Sequence, residues 1–430
     1  MKLFQYFISV FLMRNYKQKN IQKMDQNEVI LVTITGEDRP GQTLALTNIL
    51  AKHNATILDI GQAVIHNNLS LGILFLAEGD SETSAILKDL LFQSYEMGMS
   101  AKFRPIPADE YEQWVNSQGK KRYIVTIVGR QLSAESIAAV TSIIREQGLN
   151  IDNIKRLTGR RSLHEENLGA HRRACVDLSV RGTPVDEDKM KLDFLNVSKR
   201  IGVDIAFQFD NAFRRNRKLV CFDMDSTLIQ TEVIVELAKY AHAEQRVSEI
   251  TESAMRGEID FKESFRQRIA LLKGIDENVL HDIARSLPIT EGAHRLISNL
   301  KKYGYKTAIL SGGFTYFGRY LQTMLGIDYV YANELEIVDG KLTGNYIGEI
   351  VDGQMKAELL KKLAFKEDIH LEQVIAVGDG ANDLPMISIA GLGIAFHAKP
   401  MVQKSADHAI STFGLDSILY LLGFRDREID

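Results

Sequence analysis

Cysteine is scarce: 430 residues contain two, Cys175 and Cys221, far apart and in no Cys-x-x-Cys or Cys/His ligand spacing. That excludes a disulfide framework and a structural zinc site, and it fits a reducing cytoplasm. Proline is also sparse, 7 residues against 31 glycines, while hydrophobic residues at 45% and charged residues at 25% sit in the ordinary globular range. Collagen-like and largely disordered chains are thereby excluded. No excess of positive charge exists either, since Lys+Arg 52 against Asp+Glu 56 leaves a formal charge of −4. Such a chain has no overall field to attract nucleic acid or an anionic membrane. An apolar stretch at residues 3–13 (LFQYFISVFLM) follows Lys2 as a signal-peptide core would. It falls short of the ~20 residues of a membrane helix, and polar residues 14–26 stand where a small-residue cleavage pattern would be. Residues 1–26 therefore read as a dispensable tail, with Met24 an alternative start.

At ~150 residues per domain the length suggests about three domains. Residues 29–34 (VILVTI) are β-branched and apolar, GEDRPG breaks the run, and residues 43–53 repeat apolar positions at helical spacing. Two strands around His66-Asn67-Asn68, a helix at 83–93 and a strand at 99–104 complete the order βαββαβ. The order recurs about ninety residues later, from 123–128 through a helix at 134–147, strands at 151–157 and 174–180, a helix at 186–201 and a strand at 203–209. Two copies are too few and too long for a solenoid and predict tandem α+β domains, at 27–106 and 121–210. This order with GEDRPG at its first turn resembles the ACT domain, a ferredoxin-like module that senses amino acids. The resemblance implies an amino-acid effector, serine, near Gly36, Asp38 and Gly41, and a homodimer in which such domains pair. The turn of the second copy, Gly129-Arg130-Gln131-Leu132, lacks the Pro-Gly pair, which suggests a packing role. Residues 155–173 are rich in Arg and Lys but carry no aromatics for base stacking, so they read as a solvated hairpin loop. The run 214–218 (RRNRK) reads as a linker.

The chemistry lies beyond it. Leu219–Phe222 has the character of a parallel strand buried on both faces, and it runs into Asp223-Met224-Asp225-Ser226-Thr227. Two acids at the carboxyl end of such a strand stand where α/β sheets bind ligands, and a bare acidic pair there calls for a cation. An extended trace would aim both side chains one way, one to attack and one to handle protons. A second apolar run, 307–310, leads into Ser311-Gly312-Gly313-Phe314, whose glycines let backbone N–H groups approach an oxyanion. Lys356 opens a helical stretch, and a third run, 374–377, ends in Gly378-Asp379-Gly380-Ala381-Asn382-Asp383. A dinucleotide fingerprint is rejected there, because the third glycine is missing and Asp379 would repel a pyrophosphate.

DMDST, SGGF, the lone Lys356 and GDGAND, in that order at strand ends, resemble the four motifs of the haloacid-dehalogenase superfamily of phosphatases. The resemblance covers residues 218–430 and implies a Rossmann-like parallel sheet with a small helical cap, here about 231–290. It narrows to the phosphoserine phosphatase family. Glu232 stands nine positions after Asp223, and Met255, Phe261 and Arg268 also match that family's pocket positions; Arg266 is the neighbour most easily mistaken for Arg268. The implied substrate is O-phospho-L-serine, whose ammonium Glu232 would take and whose carboxylate the planar fork of Arg268 would hold. By the same resemblance Asp223 is the nucleophile and Asp225 the acid and base. Mg²⁺ is held by Asp223, Asp379 and the backbone carbonyl of Asp225, with Asp383 orienting that shell. Ser311, Gly312, Lys356 and Asn382 stabilise the transferring group. Three other readings stay open: a phosphotransferase passing the group to an alcohol such as homoserine, an amino-acid sensor with a retired catalytic domain, and a phosphatase acting on phosphoserine in proteins, which a small cap disfavours.

Overall fold

The computed structural model describes residues 27–78, 80–117, 119–160 and 173–430. The expectations for the tail at 1–26 and for most of the basic stretch 155–173 fall outside these. The chain divides into two compact units, residues 1–119 and 120–430.

In the first unit, β1 (Asn27–Glu37), β2 (Thr56–Ile65), β3 (Asn68–Glu78) and β4 (Ser100–Ile106) form an antiparallel sheet in the order β2-β3-β1-β4. Along β1 the side chains alternate strictly: Ile30, Val32 and Ile34 are buried, and the residues between them are less so. Their inward face packs on Leu46 and Leu50 of the helix Gln42–Lys52 and on Ile86 and Leu90 of the helix Asp80–Glu96. A further helix, Ala108–Ser117, places Tyr111, Trp114 and Val115 on one face at i, i+3 and i+4 but buries none of its side chains.

The second unit opens with the same topology. Strands β5 (Arg122–Gly129), β6 (Asn150–Arg156), β7 (Ala174–Arg181) and β8 (Asp204–Phe209) are ordered β6-β7-β5-β8, with helices Ala134–Glu146 and Glu187–Ile201 against one face. Then comes a seven-stranded sheet: β9 (Leu219–Phe222), β10 (Lys306–Phe314), β11 (Tyr329–Val338), β12 (Lys341–Ile347), β13 (Val374–Gly378), β14 (Leu392–Phe396) and β15 (His408–Ile410). Its order is β12-β11-β10-β9-β13-β14-β15, parallel throughout except for the β11-β12 hairpin. β9 lies at the centre, and Leu219, Val220, Cys221 and Phe222 are wholly buried because helices cover both faces.

The second α+β domain shares a core with this sheet. Val128, Leu157, Cys175 and Ala206 belong to the same hydrophobic cluster as Phe222, Ile418 and Leu419. Polar groups close the seam. The carboxylate of Asp204, 2% exposed, accepts backbone N–H groups from Ser411 (2.8 Å), Thr412 (3.2 Å) and Phe413 (3.2 Å). Lys191 pairs with Asp407 at 2.8 Å, and Gln208 donates to the carbonyl of Leu421 at 3.0 Å. Arg173, expected in a solvated loop, is instead buried and paired with Asp416. The presumed linker 214–218 likewise buries two of its cations: Arg217, 5% exposed, donates to Gln208 Oε1 (3.1 Å) and to the carbonyl of Gly391 (3.2 Å), and Arg214 is buried beside it. Charge runs read as solvated because partners such as Gly391 and Asp416, 174 and 243 residues away, are invisible in a local window.

Replacing Asp204 by Ala strands three backbone donors at this seam. The loss expected in chemical denaturation of the full chain is about 2–4 kcal/mol. A change below about 0.5 kcal/mol, the scale of an ordinary surface substitution, would mean that the three N–H groups find other partners.

Candidate active site

Three loops converge where β9, β10 and β13 end side by side. The first begins as the ladder runs out: Asp223 N still donates to the carbonyl of Val377 (2.8 Å), and Asp223 and Asp225 keep extended backbone. Ser226 then turns left-handed (φ 56°), lifting the chain away from the sheet. Asp225 Oδ1 accepts the N–H of Val233 (3.1 Å), the first residue of the helix Val233–Tyr240, whose partial positive end faces that carboxyl. Ser226 Oγ donates to Glu232 Oε1 at 3.0 Å.

The second loop follows β10. Ser311 is fully buried and its Oγ accepts the N–H of Gly313 (2.9 Å). A Cβ at Gly313 would sit 2.6 Å from Asp225 Oδ2, so only glycine fits. Asn333, 2% exposed, pins this loop: its Nδ2 donates to the carbonyls of Gly312 (2.8 Å) and Gly313 (3.3 Å), and its Oδ1 accepts from Val351 N (2.8 Å).

The third loop, after β13, brings Asp379 and Asp383. Lys356, from the helix Gly353–Lys366, lies between the loops with no exposed surface. Its Nζ is 2.6 Å from Asp383 Oδ1, a hydrogen bond, and 2.8 Å from Asp223 Oδ1, an ion pair outside hydrogen-bond angles. Asp223 Oδ1 thus has no hydrogen-bond donor among the described residues. The other Asp383 oxygen accepts from Gly380 N at 2.9 Å.

Four helices cover these loops: Val233–Tyr240, Glu244–Met255, Phe261–Ala270 and Asn278–Ser286. They leave and rejoin the sheet through two adjacent segments, bridged at Ile229 and Ile289. Beneath them is a cleft of about 740 Å³, the size of a small-molecule site. Asp223, Asp225, Glu232, Phe261, Arg268, Gly312, Asp379 and Asn382 all line it. Lys356, Ser311 and Asp383 sit behind that lining, fully buried. Arg266 points elsewhere, exposed and 3.7 Å from Glu263. The side chain of Met255 lies outside the described residues; Thr251 and Ala254 of its helix line the cleft. In the other unit, Gly36 ends β1 against Met99, Asp38 N donates to Asn67 O (2.8 Å), and Gly41 opens the helix Gln42–Lys52 at φ 89°.

Around the cleft five carboxyl groups (Asp223, Asp225, Glu232, Asp379 and Asp383) meet the buried Lys356 and the half-buried Arg268, with Lys399 exposed at its edge. The imbalance is felt. Burial, then Glu232 and Asp223, hold the Asp225 carboxyl well above the usual range. Burial and Asp223 also raise Glu232. Asp379 is pushed up to about 8 by burial and the negative charges of Asp223 and Asp383. Burial lowers Arg268, opposed by Glu232 and Asp225, whereas for Lys356 burial is outweighed by Asp223 and Asp383, which raise it.

A divalent cation fits this arrangement. Carboxylate oxygens of Asp223, Asp379 and Asp383 lie within 4.8 Å of one another, and an all-oxygen donor set suits a hard ion. Both Asp383 oxygens already accept hydrogen bonds, one from Lys356 and one from Gly380 N. Thr227, wholly buried, directs its hydroxyl at Asp379 Oδ1 (3.4 Å). Thr227 and Asn333 were missed by sequence reasoning. Thr227 stands inside a quoted motif, where its spacing offered a signal; Asn333, twenty residues beyond Gly313, offered none.

Comparison with known proteins gives the same picture. An ACT domain model matches residues 28–104, and a haloacid dehalogenase-like hydrolase model matches residues 220–388. A phosphoserine phosphatase of Streptomyces coelicolor is 39% identical over 408 residues, 93% of each chain. Phosphoserine phosphatase SerB2 of Mycobacterium tuberculosis is 36% identical, over 93% of this chain and 94% of its own. The solved structure of a probable phosphoserine phosphatase from Vibrio cholerae superimposes with TM-score 0.55 at 33% identity, covering 70% of this chain and 86% of that one. With two relatives aligned over nearly their whole length, the chain belongs to the phosphoserine phosphatase family.

Proposed function

We propose that this chain hydrolyses O-phospho-L-serine to L-serine and phosphate, the last step of serine synthesis, in the cytoplasm. The observation that carries this is the pairing of opposite charges on the cap side of the cleft, Glu232 and Arg268, above the carboxyls of Asp223 and Asp225. Phosphoserine is a phosphate ester that also carries an ammonium and a carboxylate. Glu232 takes the first, Arg268 the second, and Phe261 walls the carbon between them.

Asp223 is the nucleophile. Its carboxylate attacks phosphorus, the bond from phosphorus to the serine oxygen breaks, and Asp225 passes its proton to that oxygen. The raised affinity of Asp225 for a proton suits it to this task. Water then attacks the aspartyl-phosphate; Asp225 takes its proton back, and phosphate leaves with Asp223 restored. Lys356 sets a positive charge 2.8 Å from Asp223 Oδ1, and with one ammonium N–H given to Asp383 it retains others for the transferring group. The hydroxyl of Ser311, the N–H of Gly312 and the amide of Asn382 supply further donors. Asp223, Asp379 and the backbone carbonyl of Asp225 would hold a magnesium ion, which when bound neutralises phosphate oxygens and the excess of carboxylates. The first α+β domain binds serine at the turn bearing Gly36, Asp38 and Gly41. Two copies of the chain pair as a homodimer through the exposed apolar edge at Ile57, Ile60 and Val64 of β2.

Phosphate release from phosphoserine, with water as sole acceptor, tests the reading. Asp223→Asn is expected to lose at least about 10³-fold in kcat. Arg268→Ala should lose about 30- to 100-fold in kcat/KM as a charge-assisted pair disappears, and Arg266→Ala should stay within about twofold of wild type, the size of an ordinary surface effect. Equal losses at 266 and 268 would refute the assignment of Arg268.

Metal and pH are linked through Asp379. Folded, it keeps its proton up to about pH 8; unfolded, it ionises near about pH 4. Between those values the folded state binds more protons, so without metal its stability falls as pH rises. A bound cation reverses that cost, so the rise in Tm on adding Mg²⁺ should grow from pH 5 to pH 8.5. A rise independent of pH would show that Asp379 is not involved. For the effector, serine titrated against turnover and sedimentation should alter one or both, and Asp38→Ala should abolish the response; no effect at large excess leaves the copies a packing module.

A further inference from the structure

The helix Phe261–Ala270 turns four residues to the cleft at positions i, i+3, i+4 and i+7: Phe261, Ser264, Phe265 and Arg268. Three have evident tasks. Phe261 and Phe265 stack with ring centroids 6.4 Å apart and form the wall, and Arg268 supplies charge. Ser264 has none that packing explains. It is 1% exposed, and its Oγ finds no hydrogen-bond partner among the described residues. Nor does it turn back to the carbonyl of Asp260, the usual recourse of a serine inside a helix. Alanine would fill nearly the same space, favour the helix and desolvate no polar atom. A hydroxyl buried without a partner destabilises the fold, so this position is suited to something other than packing.

We propose that Ser264 reads the substrate, its hydroxyl donating to the carboxylate of bound phosphoserine beside Arg268; this rests on phosphoserine being the substrate. A carboxylate offers about four lone-pair sites. A guanidinium fork uses two and leaves room for a donor one helical turn away, where Ser264 stands, four residues before Arg268. The backbone ties the pair together, since Arg268 Nε donates to the carbonyl of Ser264 at 3.3 Å. A phosphate ester without the carboxylate would leave both Ser264 and Arg268 unanswered in a dry site, and that is a strong basis for rejection.

The test is Ser264→Ala in the full chain, with phosphoserine turnover, inhibition by inorganic phosphate and thermal unfolding measured on the same preparations. KM for phosphoserine should rise about 3- to 10-fold with kcat within about twofold, the split expected when a ground-state contact is removed. The Ki of inorganic phosphate, which has no carboxylate, should not change, and Tm should hold or rise. A packing role would instead lower Tm and weaken phosphate binding along with substrate binding; that pattern, or an unchanged KM, overturns the proposal. Wild-type turnover in the same assay tests the parent reading separately, because a wild type inert toward phosphoserine removes the substrate itself.

Discussion

The ammonium of Lys356 holds the catalytic end of the sheet together. It has no exposed surface, and it stands between Asp223 at the end of β9 and Asp383 beyond β13. The two carboxylates keep the lysine charged against its own burial. The helix Gly353–Lys366 is thereby tied to both loops. Asp383 is tied again by the N–H of Gly380, so the loop carrying Asp379 is set from two sides. Removing either carboxylate would leave the buried ammonium with one partner in place of two.

The remaining charge is left uncompensated by protein. Asp225, Glu232 and Asp379 all hold protons more tightly than usual, each through burial and the nearest acids. Phosphate brought into such a site would be repelled by it. A divalent ion among the carboxylates and an ammonium against Glu232 are what the geometry asks of its ligands. The cap is attached to the sheet through two adjacent segments, bridged at Ile229 and Ile289.

Some of this was legible in the amino-acid pattern and some was not, and the difference is one of range. The strands β9, β10 and β13 are short apolar runs, and acids, glycines and an amide follow each directly, so a local window holds both the strand and its loop. Lys356 has no such context; only family register drew attention to it. Asn333 pins the Gly312-Gly313 loop from twenty residues away across a parallel pairing, and Asp204 grips backbone some 207 residues distant. Backbone acceptors and donors carry no sequence signature, so side chains that bond to them cannot be found by pattern. The same limit explains Arg173 and Arg217, cations that read as solvated until the fold supplied a carboxylate to one and carbonyl groups to the other.

The two α+β copies show what a pattern can still reveal about partnership. Each ends in the strand that pairs beside its first: β4 in one, β8 in the other. In β4, SAKFRPI, half-buried positions are interspersed with exposed ones, as expected of a sheet with one face on its core. In β8, DIAFQF, every residue but the last is buried. A strand at a sheet edge has no reason to be buried on both faces unless a second body covers the outer one. Here that body is the catalytic domain, whose core extends without a break to Ala206 and whose loop 411–413 encloses Asp204. The two folds share one topology; the side chains of one edge strand make the second a structural part of the enzyme, and the first has the open Gly41 turn, where a Cβ would meet nothing within 4 Å.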